Sequence, residues 1–411
     1  MSSRTAIGQV VDGKYELVEL AGEGGMATVY KALARGAAGF SRTVAVKKLK
    51  RELRAIRNYI DMFVEEARVG SDLAHPNIVQ VYDFCGDAEG SYYLVMEWVE
   101  GMDLGRFNKG FTEFGARTPW PMIASVGIGT LRGLGAAHER LKPDGTLAPV
   151  IHRDVSPHNI LLGVNGVVKL TDFGLARARD RVFSLTAPGT VKGKLSYLSP
   201  EVTYGQPATP LSDLFAMGTV LWESLAGQRL FEGKTDLDVF KQIRNCEIKP
   251  LKPLRPDLPD DLIAIIDRSL LADPAKRFPS ARTMAFELAE VLKRAQSSGD
   301  AQQALGNAVH EARLRLARKA AGGPPSPGDE QATWSFAIDV DPLVIAGRKP
   351  VPDVSAAQVT RPEGLRPGAG AAGPGPGAWQ PSSPSPSSVD VEFSSADLSV
   401  EPLPLTTKKK P

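Results

Sequence analysis

The hydrophobic period changes once along this chain, and that change limits the fold more than any single residue does. From Tyr15 to about Tyr93, apolar residues recur at alternate positions in short runs: "YELVELAG", "ATVYKALA", "TVAVKKL", "IVQVYDF" and "YYLVMEW". Such alternation predicts antiparallel strands with one face buried. One stretch interrupts them, "NYIDMFVEEARVGSDLAH", where Ile60, Phe63 and Ala67 fall at helical spacing. From about Leu104 to Leu292 the period is helical, as in "MIASVGIGTLRGLGAAHERL", "DLIAIIDRSLL" and "ARTMAFELAEVLKRA". The expected class is therefore α+β, a small sheet-rich lobe followed by a larger helical one.

A second break, near residue 322, closes the ordered part. Beyond it "GPPSPGDE", "RPEGLRPGAGAAGPGPGAWQ" and "PSSPSPSSVDVEFSSADLSVEPLPL" offer too little apolar surface to offset the entropy of ordering. Residues 323–411 read as a disordered tail, with Trp334–Val344 as a short docking segment. Elsewhere the composition is that of a globular protein, 42% hydrophobic and 23% charged. A net charge of +2 gives little general drive toward nucleic acid or anionic membranes, a local basic patch aside. The first residues lack an apolar signal core, and no apolar run approaches the ~20 residues of a membrane span. "LFAMGTVLW", which closes on Glu223, reads as a buried core helix. Cys85 and Cys246 form no metal-type spacing and suit a reducing compartment. A cytoplasmic protein is expected.

Three short segments carry chemistry. In "LAGEGGMATVYKA", Gly22, Glu23, Gly24 and Gly25 join two predicted strands. Glycines at such a turn let backbone N–H groups approach phosphate oxygens. A plain hairpin has the same look, and the strand that follows argues against a dinucleotide fingerprint. Lys47, on the strand "VAVKK", is a compact cation able to bridge two phosphates, with Glu65 or Glu66 as partner; its neighbour Lys48 reads as a solvated strand lysine. In "HRDVSPHN", Asp154 can orient an attacking hydroxyl and accept its proton. Asn159, and Asp172 of "TDFG", are hard oxygen ligands suited to magnesium carrying phosphates. Phosphoryl transfer asks mainly for positioning and charge neutralisation, so this small set suffices.

These motifs, in this order, resemble the protein kinase family, in its bacterial eukaryotic-like Ser/Thr branch. Later marks agree: "SPE" at Ser199–Glu201, "SDLFAMGTVLWE" around Asp213, and "DPAKRF" with Arg277. The resemblance implies a bilobal kinase domain over residues 15–294, divided into 15–97 and 98–294. Flanking it are an N-terminal extension (1–14) and a helical extension (295–322). It implies ATP and Mg2+, or Mn2+, as cofactors, protein substrates, and a transient homodimer for autophosphorylation. It selects Glu66 as the partner of Lys47, from its spacing to "HPNIV". It also implies that Met96 guards an adenine pocket, that backbone groups of Glu97 and Val99 bind the adenine edge, and that Val29, Ala45 and Leu161 sandwich the ring. Glu201 would pair with Arg277, and Asp213 would bond the catalytic-loop backbone.

Four departures stand out. The family's G-x-G-x-x-G-x-V has Ala27 at its third glycine. The catalytic-loop lysine is replaced by Ser156, and in "VKGKLSYLSPE" Lys194 stands where the family has threonine. Lys194 is expected to supply the missing cation; the plainer reading is a surface charge facing acidic substrates. An insertion, "LKPDGTLAP", carries a Pro-Asp-Gly turn signal. Arg153 before Asp154 implies docking of a phosphorylated activation loop, with Thr190 as first candidate and Thr186 and Ser184 as others. The expected activity is ATP-dependent Ser/Thr protein phosphorylation. The alternatives are a pseudokinase scaffold and a tyrosine or dual-specificity kinase.

Overall fold

Period-two patterning gives the expected sheet. The computed structural model describes residues 6–87, 89–173, 195–295 and 300–321, all within Met1–Pro350, the first of two units of the chain. Strands β1 (Val10–Val11), β2 (Tyr15–Glu23), β3 (Ala27–Arg35), β4 (Ser41–Leu49), β5 (Val81–Gly86) and β6 (Tyr92–Glu97) form an antiparallel sheet in the order β1-β2-β3-β4-β6-β5. Alternate side chains build two apolar layers. Leu17, Tyr30, Ala32, Val44, Val46, Tyr93 and Val95 pack on one face. Ala27, Leu49 and Leu94 pack on the other with Phe63 and Ala67 of helix α1 (Arg57–Ser71). Val11 is buried in the first layer, so the residues before Tyr15 contribute a strand.

Two boundaries differ from the sequence expectation, for one reason. Helix α1 stops at Ser71, short of His75, because Leu73 turns away into the core of the helical lobe and Pro76 cannot continue a helix. "IVQVYDF" enters the sheet only at Val81. Its first residues serve the other lobe: Ile78 bridges Leu170, and the Val79 N–H donates to the Leu170 carbonyl at 2.9 Å. Lys48 also departs from expectation. It is half-buried with its ammonium 5.1 Å from the Tyr93 ring centroid, and burial lowers its pKa.

The second lobe holds helices α2 (Leu104–Thr112), α3 (Trp120–His138), α4 (Pro200–Thr203), α5 (Pro210–Ala226), α6 (Asp236–Arg244), α7 (Asp260–Ser269), α8 (Ala281–Ala295) and α9 (Ala301–Ala320). A small sheet, β7 (Gly101–Asp103), β8 (Ile160–Gly163) and β9 (Val168–Leu170), lies beside them. Helices α3 and α5 are apolar nearly all round and are buried accordingly. Glycines let α3 press against the segments that lead into the site. A Cβ on Gly129 would stand 2.7 Å from Val168, and one on Gly133 2.8 Å from the Asn77 carbonyl oxygen.

Helix α4 is tied to the far side of the lobe by a buried pair. Arg277 donates to both carboxylate oxygens of Glu201, at 2.9 and 2.7 Å, and to the carbonyls of Leu211, Leu271 and Ala272. Burial opposes the Glu201 charge, but Arg277 outweighs it and holds the carboxyl below its usual pKa. Every donor of this buried fork is used, which is what such a pair needs to offset desolvation.

The insertion before the catalytic loop is an exposed hairpin-like turn. Leu141 bridges Leu147, the Lys142 N–H bonds the Thr146 carbonyl at 2.9 Å, and Gly145 supplies a φ of +80°. Cys85 and Cys246 are both free thiols. Among the described residues no helix is long and apolar enough to cross a membrane.

Candidate active site

Three elements converge on one ammonium. Lys47 on β4 donates to Glu66 Oε1 of α1 at 2.6 Å and to Asp172 Oδ1, just beyond β9, at 2.8 Å. Glu65 instead faces outward, with its carboxylate 3.8 Å from Arg68. Burial opposes the Lys47 charge, yet the two carboxylates together raise its pKa above the usual lysine value. The partners are unequal. The Glu66 side chain is 13% exposed and that of Asp172 40%, so Asp172 keeps an open side from which a ligand could approach. Burial pushes the Glu66 carboxyl up to about 7 despite Lys47, with Asp172 adding to the push. For Asp172, Lys47 overcomes burial and holds the carboxyl below its usual range.

The loop carrying Asp154 and Asn159 is pinned by its own backbone. Asp213 of α5, 2% exposed, accepts from the N–H groups of His152 and Arg153 at 2.8 Å each, and its Oδ2 lies 2.8 Å from His138 Nε2. The first two bonds fix the peptide around Arg153, whose φ of +65° is uncommon for a residue with a side chain. His152 is wholly buried, and that burial lowers its pKa. Its ring is then neutral: Nδ1 accepts from the Asp154 N–H at 3.2 Å, and Nε2–H donates to the Thr171 carbonyl at 3.0 Å.

The same ring thus spans from the Asp154 loop to the residue before Asp172. Phe173 packs on it with centroids 4.7 Å apart. Asn159 completes the link: its Nδ2 donates to the Asp154 carbonyl at 2.7 Å, and its own carbonyl accepts from the Thr171 N–H at 3.0 Å. Asp172, with φ +55°, is held in a strained conformation by these neighbours. Such strain persists only where the surroundings over-determine it.

The residues expected around an adenine ring come together as one apolar cluster. Ala45, Val79 and Met96 are buried, with Val29, Trp98, Val99 and Leu161 packed against them. Trp98 belongs to this wall but was not singled out from the sequence, since an isolated aromatic in "MEWVEG" carries no pattern. Glu97 has a second use: its carboxylate accepts from Lys169 at 2.7 Å and its N–H donates to the Gln80 carbonyl at 2.8 Å. Gly24 and Gly25 form the turn after Gly22 and Glu23, which still belong to β2. None of these glycines has a positive φ, and a Cβ on Gly22 or Gly25 would meet nothing within 4 Å. Packing therefore does not require glycine there, whereas the close approach of a phosphate would.

His138, Tyr197, Glu223 and Arg229 are further residues that sequence reasoning missed. The Tyr197 hydroxyl donates to Glu223 at 2.7 Å and Arg229 lies 3.2 Å from the same carboxylate, although Glu223 reads from sequence as the polar end of a core helix. Lys194, Thr190, Thr186 and Ser184 lie outside the described residues. The Ser156 backbone is in place, its carbonyl accepting from the Asn159 N–H at 3.0 Å.

Glu66 offers a direct test of this charge arrangement. A carboxyl raised from 4.5 to about 7 in the fold stabilises the protein fully below pH ~4.5, and that contribution is lost as pH rises through ~7. Glu66→Gln carries no such proton. Denaturation of both proteins across this range should show wild type losing stability relative to the variant between pH ~4.5 and ~7, by at most about 1.4 kcal/mol per pH unit. A pH-independent difference would refute the assignment.

Comparison with known proteins agrees with this geometry. The family described as protein kinase domain matches residues 15–288. The tyrosine-protein kinase MasK of Myxococcus xanthus is 39% identical over 294 residues, covering 72% of this chain and 45% of that protein. The serine/threonine-protein kinase PknA of Mycobacterium tuberculosis is 36% identical over 291 residues, covering 69% of this chain and 63% of PknA. PrkC of Bacillus subtilis, also a serine/threonine-protein kinase, is 34% identical over 282 residues, 69% of this chain and 41% of PrkC. The chain thus spans less than two thirds of each of these relatives. Among solved structures, the PknI kinase domain of Mycobacterium tuberculosis superposes with a TM-score of 0.52 at 26% identity, over 71% of this chain and 99% of that one. A match over residues 15–288, on a fold that gathers Lys47, Glu66 and Asp172 around one charge, places this chain in the protein kinase family.

Proposed function

We propose that the protein is a serine/threonine kinase that transfers the terminal phosphoryl group of ATP to protein hydroxyls. The observation that carries this reading is Lys47 held between Glu66 and Asp172, on a scaffold that also fixes Asp154 and Asn159. The apolar cluster of Val29, Ala45, Met96, Val99 and Leu161 receives the adenine, with backbone groups of Glu97 and Val99 at its edge. The turn at Gly22–Gly25 covers the phosphates. Lys47 bridges phosphate oxygens, and Glu66 keeps its ammonium in place. A divalent metal, Mg2+ or alternatively Mn2+, would be held by Asn159 and Asp172 and would neutralise phosphate charge. Asp154 orients the acceptor hydroxyl and takes its proton.

Ser156 leaves the transferring phosphoryl group without the cation the family usually provides. Lys194, two residues before the "SYLSPE" segment, is proposed to supply it from the substrate-docking loop. Thr190, and secondarily Thr186, are the proposed autophosphorylation sites, modified within a transient homodimer and docked on Arg153. The serine/threonine relatives PknA and PrkC support acceptor choice at the aliphatic hydroxyl. A second reading, tyrosine or dual specificity, is favoured by the similarity to the tyrosine-protein kinase MasK together with Ser156. A cytoplasmic location is part of the proposal.

Two measurements test this. With labelled ATP and a generic protein acceptor, Asp154→Asn should lower kcat on the order of 10²–10⁴-fold while leaving nucleotide affinity intact. Phosphoserine and phosphothreonine should dominate the hydrolysate; phosphotyrosine would favour the second reading, and absence of wild-type transfer would indicate a scaffold. In single turnover, Lys194→Ala should slow transfer by about 10²–10³-fold, as for a lost transition-state donor. An unchanged rate would remove Lys194 from the site.

A further inference from the structure

Helix α9 begins after the family match ends at residue 288, yet one face of it is buried. Leu305, Gly306, Ala308, Val309 and Ala312 are buried. A Cβ on Gly306 would come within 2.5 Å of the Val164 carbonyl oxygen, one on Gly110 within 2.8 Å of Ala312 Cβ, and one on Gly166 within 1.8 Å of the Gln302 carbonyl oxygen. Backbone therefore lies on backbone where α9 crosses α2 and the β8–β9 turn. Polar ties flank this contact: Gln302 Nε2 donates to the Asn165 carbonyl at 3.1 Å, and Lys319 pairs with Glu113 at 2.9 Å.

From this anchored helix Arg313 reaches the link between the lobes. Its Nη2 lies 2.7 Å from Glu100 Oε1. The other oxygen of Glu100 accepts from Trp98 Nε1 at 2.9 Å and from Lys31 Nζ at 3.1 Å. Lys31 also sits 5.0 Å from the centroid of the Trp98 ring. The indole is thus held through its N–H and through its face while it packs against the adenine cluster. The Glu100 carboxyl is drawn down to about 2, first by the Trp98 hydrogen bond and then by Lys31 and Arg313.

We propose that Arg313 is a positioning residue for the nucleotide: through Glu100 it fixes Trp98, and so α9 sets the rim of the adenine pocket. The inference rests on the kinase reading. Arg313 is 38% exposed and Glu100 43%, so each ion pair alone is worth little. The effect lies in orientation, and it should show in binding rather than in chemistry.

The test uses the full chain as wild type, Arg313→Ala, Arg313→Lys and Glu100→Gln, titrated with N-methylanthraniloyl-ADP and assayed for KM of ATP and kcat. Arg313→Ala and Glu100→Gln should each weaken nucleotide binding and raise KM by about threefold, with kcat held. Arg313→Lys should restore most of the affinity. Equal affinity in wild type and Arg313→Ala, or a fall in kcat and thermal stability with KM unmoved, would overturn the inference and leave α9 a packing element. Failure of wild type itself to bind the probe would instead overturn the kinase reading, and this inference with it.

Discussion

The buried charge of Lys47 is the constraint around which the described structure is organised. A solitary ammonium in that position would lose its charge or destabilise the fold. Two carboxylates prevent this, and they come from parts of the chain 19 and 125 residues away. Strand β4, helix α1 and the end of β9 must therefore all be in place for the charge to be tolerated. The arrangement is also asymmetric in a useful way. Glu66 is enclosed and holds the lysine, while Asp172 is half open and free to serve a ligand as well.

A second tier of buried charges holds the backbone rather than the reactants. Asp213 fixes the peptides around Arg153, and the neutral ring of His152 carries that order across to Thr171 and hence to Asp172. Arg277 and Glu201 do the equivalent work at α4, the first helix after "SYLS". These groups need not touch a substrate. Asp213 and His152 make two strained residues, Arg153 and Asp172, the stable choice at the point where chemistry is proposed.

Much of this was legible in the sequence, and the limits have physical causes. Alternation gave the strands, and the ordered series Lys47, Glu66, Asp154, Asn159, Asp172 named residues that the fold does gather. The choice of Glu66 over Glu65 agrees with the geometry because a helix separates neighbours by about 100°. What periodicity could not show was loyalty between lobes: Ile78 and Val79 have strand-like character but spend it on Leu170. Nor could it show pairing at long range. Trp98, Glu100 and Arg313 are unremarkable singly, and only the packing of α9 through glycine contacts brings them together. His138 reads as a helix-end residue until Asp213 is seen beside it.

On the proposed function, Glu66 acts on ATP only through Lys47. A double-mutant cycle on ATP affinity, with Lys47→Ala, Glu66→Ala and the combined variant, isolates that dependence. Glu66→Ala should weaken ATP binding in the wild-type background and change nothing once Lys47 is gone. Additive losses from the two substitutions would contradict the arrangement described for this site.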